Sequence, residues 1–172
     1  MDLKEKIRII PDFPKEGISF KDITTLLKDG DALRATVQAF ADYYRDHDVD
    51  MIVGVESRGF ILGAPLAYEM GLGFTLIRKP NKLPGQVLSV EYDLEYGTDK
   101  LEIHTDAFPP GTRVLLVDDL LATGGTIFAA TELIRKLGGK TVGLAFLIEL
   151  AYLNGRERLK DYDILSLVKY DS

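Results

Sequence analysis

Met51–Val55 (MIVGV), Phe74–Ile77 (FTLI), Arg113–Val117 (RVLLV) and Thr141–Ile148 (TVGLAFLI) are short runs of almost unbroken apolar residues. A strand with one wet face alternates polar and apolar positions, whereas a run without alternation is buried on both faces. Helical spacing fills the gaps between them. From Asp31 to His47, apolar side chains fall at Leu33, Val37, Phe40, Ala41 and Tyr44, one face of an amphipathic helix with Asp31 as its N-cap. RGFILGAPLAYEMG, residues 58–71, reads as a helix closed by Gly71, with Pro65 leaving its start open. Ile127, Ala130, Ile134 and Leu137 mark a further helix ended by Gly138-Gly139, and DILSLV, residues 163–168, supplies a last strand. Buried strands alternating with helices predict an α/β domain: an open, mostly parallel, doubly wound sheet flanked by helices. At 172 residues, 46% of them hydrophobic, the chain fits one domain with one good core.

Two segments break this rhythm. Residues 12–27 are turn-rich with isolated aromatics. Residues 79–108 are long and polar. Within them QVLSVEYDL and DKLEIHTDAF can pair as an antiparallel arm, but so long a stretch is more often a mobile functional loop, and a flexible arm is the expectation.

Composition removes several classes of function. A net charge of −6 argues against sequence-independent nucleic-acid binding, which needs a basic face to release counterions. With no cysteine, disulfides, thiolate nucleophiles and cysteine-ligated metals are excluded. The amino terminus lacks the apolar core of a secretory signal, and no apolar run approaches the roughly 20 residues that a bilayer requires. A cytoplasmic protein without a membrane partner is expected. His47 and His104 form no close ligand pair and receive no catalytic role.

The chemistry concentrates in VLLVDDLLATGGT, Val114–Thr126. In an open α/β sheet, ligands bind outside the carboxyl ends of the strands, and this stretch begins at such an end. A strand that enters a glycine turn and then a helix aims backbone N–H groups at one point, with the positive end of the helix behind them. Ala122, Thr123, Gly124, Gly125 and Thr126 therefore read as a phosphate cradle, with the two threonine hydroxyls as further donors. Asp118 and Asp119 cannot themselves hold phosphate. They suit hydroxyl groups or a cation beside it, and a sugar phosphate satisfies both halves of the motif. The bland alternative is a solvated turn in which Asp119 and Thr123 cap the helix. Downstream of another buried strand, Arg78, Lys79 and Lys82 in IRKPNK raise the local potential for a multiply charged anion in an otherwise acidic chain; a plain solvated face is the competing reading. GVESRG lacks the Lys and Ser/Thr of a nucleotide P-loop, with Phe60 and Ile61 in their places, and GLGFTL lacks the third glycine of a dinucleotide fingerprint.

VLLVDDLLATGGT resembles the signature of the type I phosphoribosyltransferases, in the wording of their adenine-using branch. IPDFP, FKDIT, ESRGF, LIRK, KLPG and LEYG follow in that family's order and spacing, almost from end to end. The resemblance implies transfer of a phosphoribosyl group from 5-phosphoribosyl 1-diphosphate (PRPP) to adenine, in purine salvage. Mg²⁺ is then carried by the substrate diphosphate, with no direct protein ligand. Asp118 and Asp119 would orient the ribose and favour its developing charge. The turn at Ser57 and Arg58 would hold pyrophosphate, with Arg78, Lys79 and Lys82 beside it. Phe20 would stack on adenine, backbone near Ser19 and Lys21 would read its edge, and Leu121 would close the other face. Glu95, with Tyr96 next to it on the arm, would handle the purine proton; solvent-facing and packing roles are the ordinary alternatives for these two. A hood beside the sheet, formed by the first 30 residues, and a homodimer are also implied.

Two rivals remain at this stage. One is the same transfer to hypoxanthine, guanine or xanthine. The other is a PRPP-sensing regulator that has lost catalysis, although such proteins normally add a DNA-binding segment. A phosphate-accepting signalling domain also combines paired aspartates with a parallel sheet, but its acids should follow the first strand.

Overall fold

The protein's computed structural model describes residues 1–94 and 96–172. After a 3-10 turn at Leu3–Lys6, strand β1 (Arg8–Ile10) pairs antiparallel with β2 (Phe20–Asp22), and the short helix α1 (Thr24–Leu27) follows. Helix α2 spans Gly30–Tyr44, and its N-cap is Asp29, not Asp31. Asp29 has extended backbone and accepts hydrogen bonds from the amides of Asp31 and Ala32 at 3.1 and 3.2 Å, whereas Asp31 already lies inside the first turn. The helix also stops short of His47, whose Nε2 lies 3.0 Å from Asp163 Oδ2.

Strand β3 (Met51–Val55) leads into helix α3 (Arg58–Met70), which runs through Pro65 and closes on a left-handed Gly71. Proline there removes one N–H donor, and packing of Leu62, Leu66 and Ala67 against the sheet maintains the helix on either side. Strand β4 (Gly73–Ile77) is followed by β5 (Val87–Asp93), β6 (Thr98–His104), β7 (Arg113–Leu121), helix α4 (Gly125–Lys136), β8 (Lys140–Leu150) and β9 (Ile164–Tyr170). Five strands form one sheet in the order β4-β3-β7-β8-β9, and every pairing in it is parallel.

Helices α2 and α3 cover one face through Phe40, Tyr44, Leu62 and Leu66 against Ile52, Leu115 and Ala145. Helix α4 covers the other through Ile127, Ala130, Leu133 and Ile134 against Val53, Leu116 and Phe146. The fold is therefore the doubly wound α/β sheet that the apolar runs predict.

The segment 79–108 contains the antiparallel arm that QVLSVEYDL and DKLEIHTDAF allow. β5 and β6 form a regular antiparallel ribbon from Val87↔His104 to Asp93↔Thr98. Leu101 and Ile103 alternate with polar neighbours along β6, and both are fully buried in the core under α4. Main-chain bonds between Arg78 and Glu102, at 3.0 and 2.8 Å, join the ribbon to the end of β4. Its root is thus core, which the alternation Leu101-x-Ile103 encodes. Among the described residues, no helix is long and apolar enough to cross a membrane.

Candidate active site

The chain enters the sheet at β3, adds β4 on one side, and returns to place β7 on the other. Connections leaving β3 and β7 diverge, so a crevice opens between their carboxyl ends. The turn Glu56–Arg58 and the loop after β7 meet there around a cavity of about 430 Å³.

β7 continues through both acids to Leu121, because β8 keeps pairing with it at Asp118↔Phe146, Leu120↔Ile148 and Leu121↔Glu149. The acids are consequently fixed by the sheet, not by a turn after it. The chain then bends at Ala122–Gly124, with Gly124 at φ +87°, and α4 begins. No side chain caps that helix, so neither Asp119 nor Thr123 takes the capping role of the bland reading. Ala122, Thr123, Gly124, Gly125 and Thr126 all line the cavity. Free N–H groups at a helix start, facing a cavity, suit an anion.

Three glycine contacts set this geometry. A Cβ on Gly59 would lie 2.8 Å from the Val117 carbonyl oxygen, so the absence of a side chain lets α3 begin directly against β7. A Cβ on Gly124 would lie 2.8 Å from the Gly155 carbonyl oxygen, and one on Gly155 would lie 2.4 Å from that of Ala122. The loop is thus backed by the turn Gly155–Leu159, a partner that no local sequence signal announces.

The charges are arranged in pairs. Arg58 Nε donates to Asp119 Oδ2 at 2.5 Å, and Asp119 is 7% exposed. Asp118 Oδ1 accepts from the Asp119 amide at 2.9 Å. Burial, then the neighbouring Asp119 charge, pushes the Asp118 carboxyl well above the usual carboxylate range. Glu56 accepts from Arg78 Nε and from the Lys79 amide, both at 3.0 Å. Burial works against its ionisation, but these two donors outweigh it and its pKa is lowered. Lys79 Nζ bonds Asp99 and the Tyr92 hydroxyl. Burial opposes its charge, and the Asp99 and Tyr92 contacts reverse that effect.

Of the IRKPNK cations, Lys79 lines the cavity together with Ser57 and Arg58. Arg78 is drawn aside by Glu56 and sits 5.9 Å from the Phe60 ring, and Lys82 is exposed and does not line the cavity.

A second cavity of about 560 Å³ adjoins the first, and Arg58, Asp119 and Leu120 line both. Its walls include Ser19, Phe20 and Lys21 from the amino-terminal ribbon and Ile148, Leu150, Tyr152 and Leu153 from the end of β8 and the turn after it. Phe20 is half-buried, held edge-on by Phe13 at 5.2 Å. Lys21 Nζ bonds Ser19 Oγ at 2.9 Å and lies 4.5 Å from the Tyr170 ring centre.

Leu121 requires a correction. It is 1% exposed and packs in the core with Ile127 and Leu159, so it closes no face of the cavity; Leu120 does. Adjacent strand residues point to opposite sides, so one of the two leucines had to turn inward. A motif cannot say which. Tyr152 and Ile148 were likewise missed, because ordinary apolar residues carry no signal of what they face. Tyr96 is 87% exposed, and Glu95 lies outside the described residues. His104 bonds the Pro84 carbonyl, and neither histidine lines the two cavities.

The phosphoribosyl transferase domain model matches residues 22–171. A curated adenine phosphoribosyltransferase of Clostridium botulinum (strain Eklund 17B / Type B) is 60% identical over 171 residues, 99% of each chain. The crystal structure of adenine phosphoribosyltransferase from Thermoanaerobacter pseudethanolicus superposes with a TM-score of 0.95 at 54% identity, covering 98% of both chains. That of the Saccharomyces cerevisiae enzyme, complexed with an imino-altritol bisphosphate and adenine, gives 0.91 at 38% identity over 96% of both. Paired acids on a strand, an uncapped glycine loop and 60% identity over 99% of the chain converge: the chain belongs to the phosphoribosyl transferase family and groups with members named adenine phosphoribosyltransferase.

Proposed function

We propose that this chain is an adenine phosphoribosyltransferase, converting PRPP and adenine to AMP and pyrophosphate. The observation that carries the reading is the meeting of two cavities at Arg58, Asp119 and Leu120: one is polar and ends on an uncapped helix start, and the other has aromatic and aliphatic walls. A ligand with a phosphate at one end and a purine at the other needs that adjacency.

The 5-phosphate takes the amides and hydroxyls of residues 122–126, each hydrogen bond to a charged group contributing roughly 1.5–3 kcal/mol. Asp118 and Asp119 accept from the ribose hydroxyls and favour positive charge at C1′. Arg58 with Ser57 and Lys79 holds the diphosphate, while Arg78 and Lys82 add potential from outside the cavity. Adenine lies against Phe20 and Leu120, its edge read by backbone at Ser19 and Lys21, under the hood formed by residues 1–30. Its N9 forms a bond to C1′ as the bond from C1′ to the diphosphate oxygen breaks. Attack comes from the opposite face, so the α-linked donor gives the β-nucleotide. The N9 proton passes to Glu95, the role that the family resemblance assigns to the 79–108 arm, with Tyr96 as its exposed neighbour.

Two of the three acids that line the cavity are engaged by cations or amides, Asp119 by Arg58 and Glu56 by Arg78 and the Lys79 amide, and the third, Asp118, accepts from the Asp119 amide. Such a donor set fits a Mg²⁺ ion held by the substrate diphosphate and not by the protein, and that ion would offset negative charge on the leaving group. We read the working form as a cytoplasmic homodimer. Ile61 and Tyr68 on α3, 44% and 89% exposed, offer apolar surface for a second copy.

A base panel tests the proposal. With PRPP and Mg²⁺, adenine should give AMP and pyrophosphate faster than guanine, hypoxanthine or xanthine give their nucleotides. Faster consumption of another base would reassign the substrate, and donor binding without turnover of any base would identify a sensor.

A further inference from the structure

Among the described residues, Lys79 is the one cavity-lining cation whose side-chain partners both lie on the ribbon. Its ammonium bonds Asp99 on β6 and, at 3.2 Å, the hydroxyl of Tyr92 on β5. Tyr92 and Asp99 face each other in the ribbon's register, so the two strands present a single receptor for that ammonium. The pair is not sealed off, since the Lys79 and Asp99 side chains are 40% and 28% exposed. Lys79 also lines the cavity that the start of α4 lines. One ammonium is therefore within the field of two acceptors, a ribbon carboxylate and whatever anion fills the cavity.

Resting on the function proposed above, we infer that Asp99 is a positioning residue: it holds Lys79 in reserve and releases it to the diphosphate, so that the ion pair weakens diphosphate binding and hastens its departure. A diphosphate carries more negative charge than one carboxylate, so the ammonium moves to it when the cavity is filled. Binding must first break the contact with Asp99, and departure of pyrophosphate restores it. A partly exposed pair contributes little, so the effect on affinity is a factor of about two to five.

The exchange predicts a gain where a merely structural ion pair predicts a loss. Titration calorimetry with PRPP and with pyrophosphate, each with Mg²⁺, is performed on the wild type, Asp99→Asn and Asp93→Asn. Asp93 is an exposed carboxylate on the same ribbon that does not touch Lys79. Asp99→Asn should bind both compounds about two- to fivefold more tightly and show stronger product inhibition by pyrophosphate, with Asp93→Asn unchanged. Asp99→Ser provides the same readout with a smaller side chain. Unchanged or weaker binding in the Asp99 variants overturns the exchange, as does equal tightening in Asp93→Asn, which would signal a general field effect. Wild-type protein that binds neither compound would remove the proposed function as well, whereas normal wild-type binding with an unmoved Asp99→Asn removes the exchange alone.

Discussion

Asp118 is a single residue at which stability and chemistry pull in opposite directions. It sits beside Asp119 in a strand, and burial followed by that neighbouring charge raises its pKa from the ordinary 3.8. A carboxyl whose pKa rises on folding favours the fold while it is protonated and disfavours it once ionised, so its cost grows as pH climbs through the folded value. Asp118→Asn cannot ionise. It should melt about 2–4 °C higher than wild type at neutral pH, with the gap closing as pH falls toward 3.8, and it should lose most of its kcat/KM. Thermal denaturation across pH, paired with turnover, checks both halves. A variant that melts lower at neutral pH would mean that the negative charge is not a burden.

Among elements, the turn after β8 does more than connect. Tyr152 and Leu153 wall the second cavity, and Gly155 backs the glycine loop before α4 at less than normal contact distance for any side chain. Gly155→Ala should therefore cost about 1–3 kcal/mol by overpacking, measured by denaturant unfolding. By displacing residues 122–124 it should also weaken PRPP binding on the order of tenfold to a hundredfold, measured by titration. Unaltered PRPP affinity would show that the loop does not depend on this support. The elements also differ in how openly the sequence declares them. β3, β7, β8 and α4 are readable because burial on both faces, and one-sided helical burial, each leave a periodic trace. The glycine loop before α4 is readable because Gly124-Gly125 between two threonines ends one element and starts another. The support from Gly155 is not, since it exists only once residues far apart in sequence are packed. Asp29 and Asp31 are equally good caps by composition, and only backbone conformation separates them. The ribbon shows its pattern at Leu101 and Ile103, but its length and polarity point to a loop.

Taken as one object, the chain is an acidic protein that must hold an acidic ligand. Its net charge of −6 repels PRPP at long range, so in the function proposed above binding would depend on the local set that lines the cavity, Arg58, Lys79 and the start of α4. That set converges only when β3, β7 and the ribbon are all in place, and the donor should therefore brace the entire fold. At a hundred times its dissociation constant, PRPP adds about 2.7 kcal/mol, equivalent to a rise of about 5–10 °C in melting temperature for a chain of this size. Differential scanning fluorimetry reads this directly. Adenine alone, which touches only the second cavity, should shift it less; a larger shift with adenine would reverse the order of dependence.

The strand order also bears on synthesis. β3 and β4 leave the ribosome well before β7, which later docks along the edge of β3 that β4 does not use. Until then that inner edge is bare, and the hydrogen-bonding groups meant for β7 face water or a neighbouring nascent chain. Ribosome pausing ahead of Arg113 would expose an adhesive margin in the middle of the future sheet, which makes this interval the one in which a chaperone has most to protect.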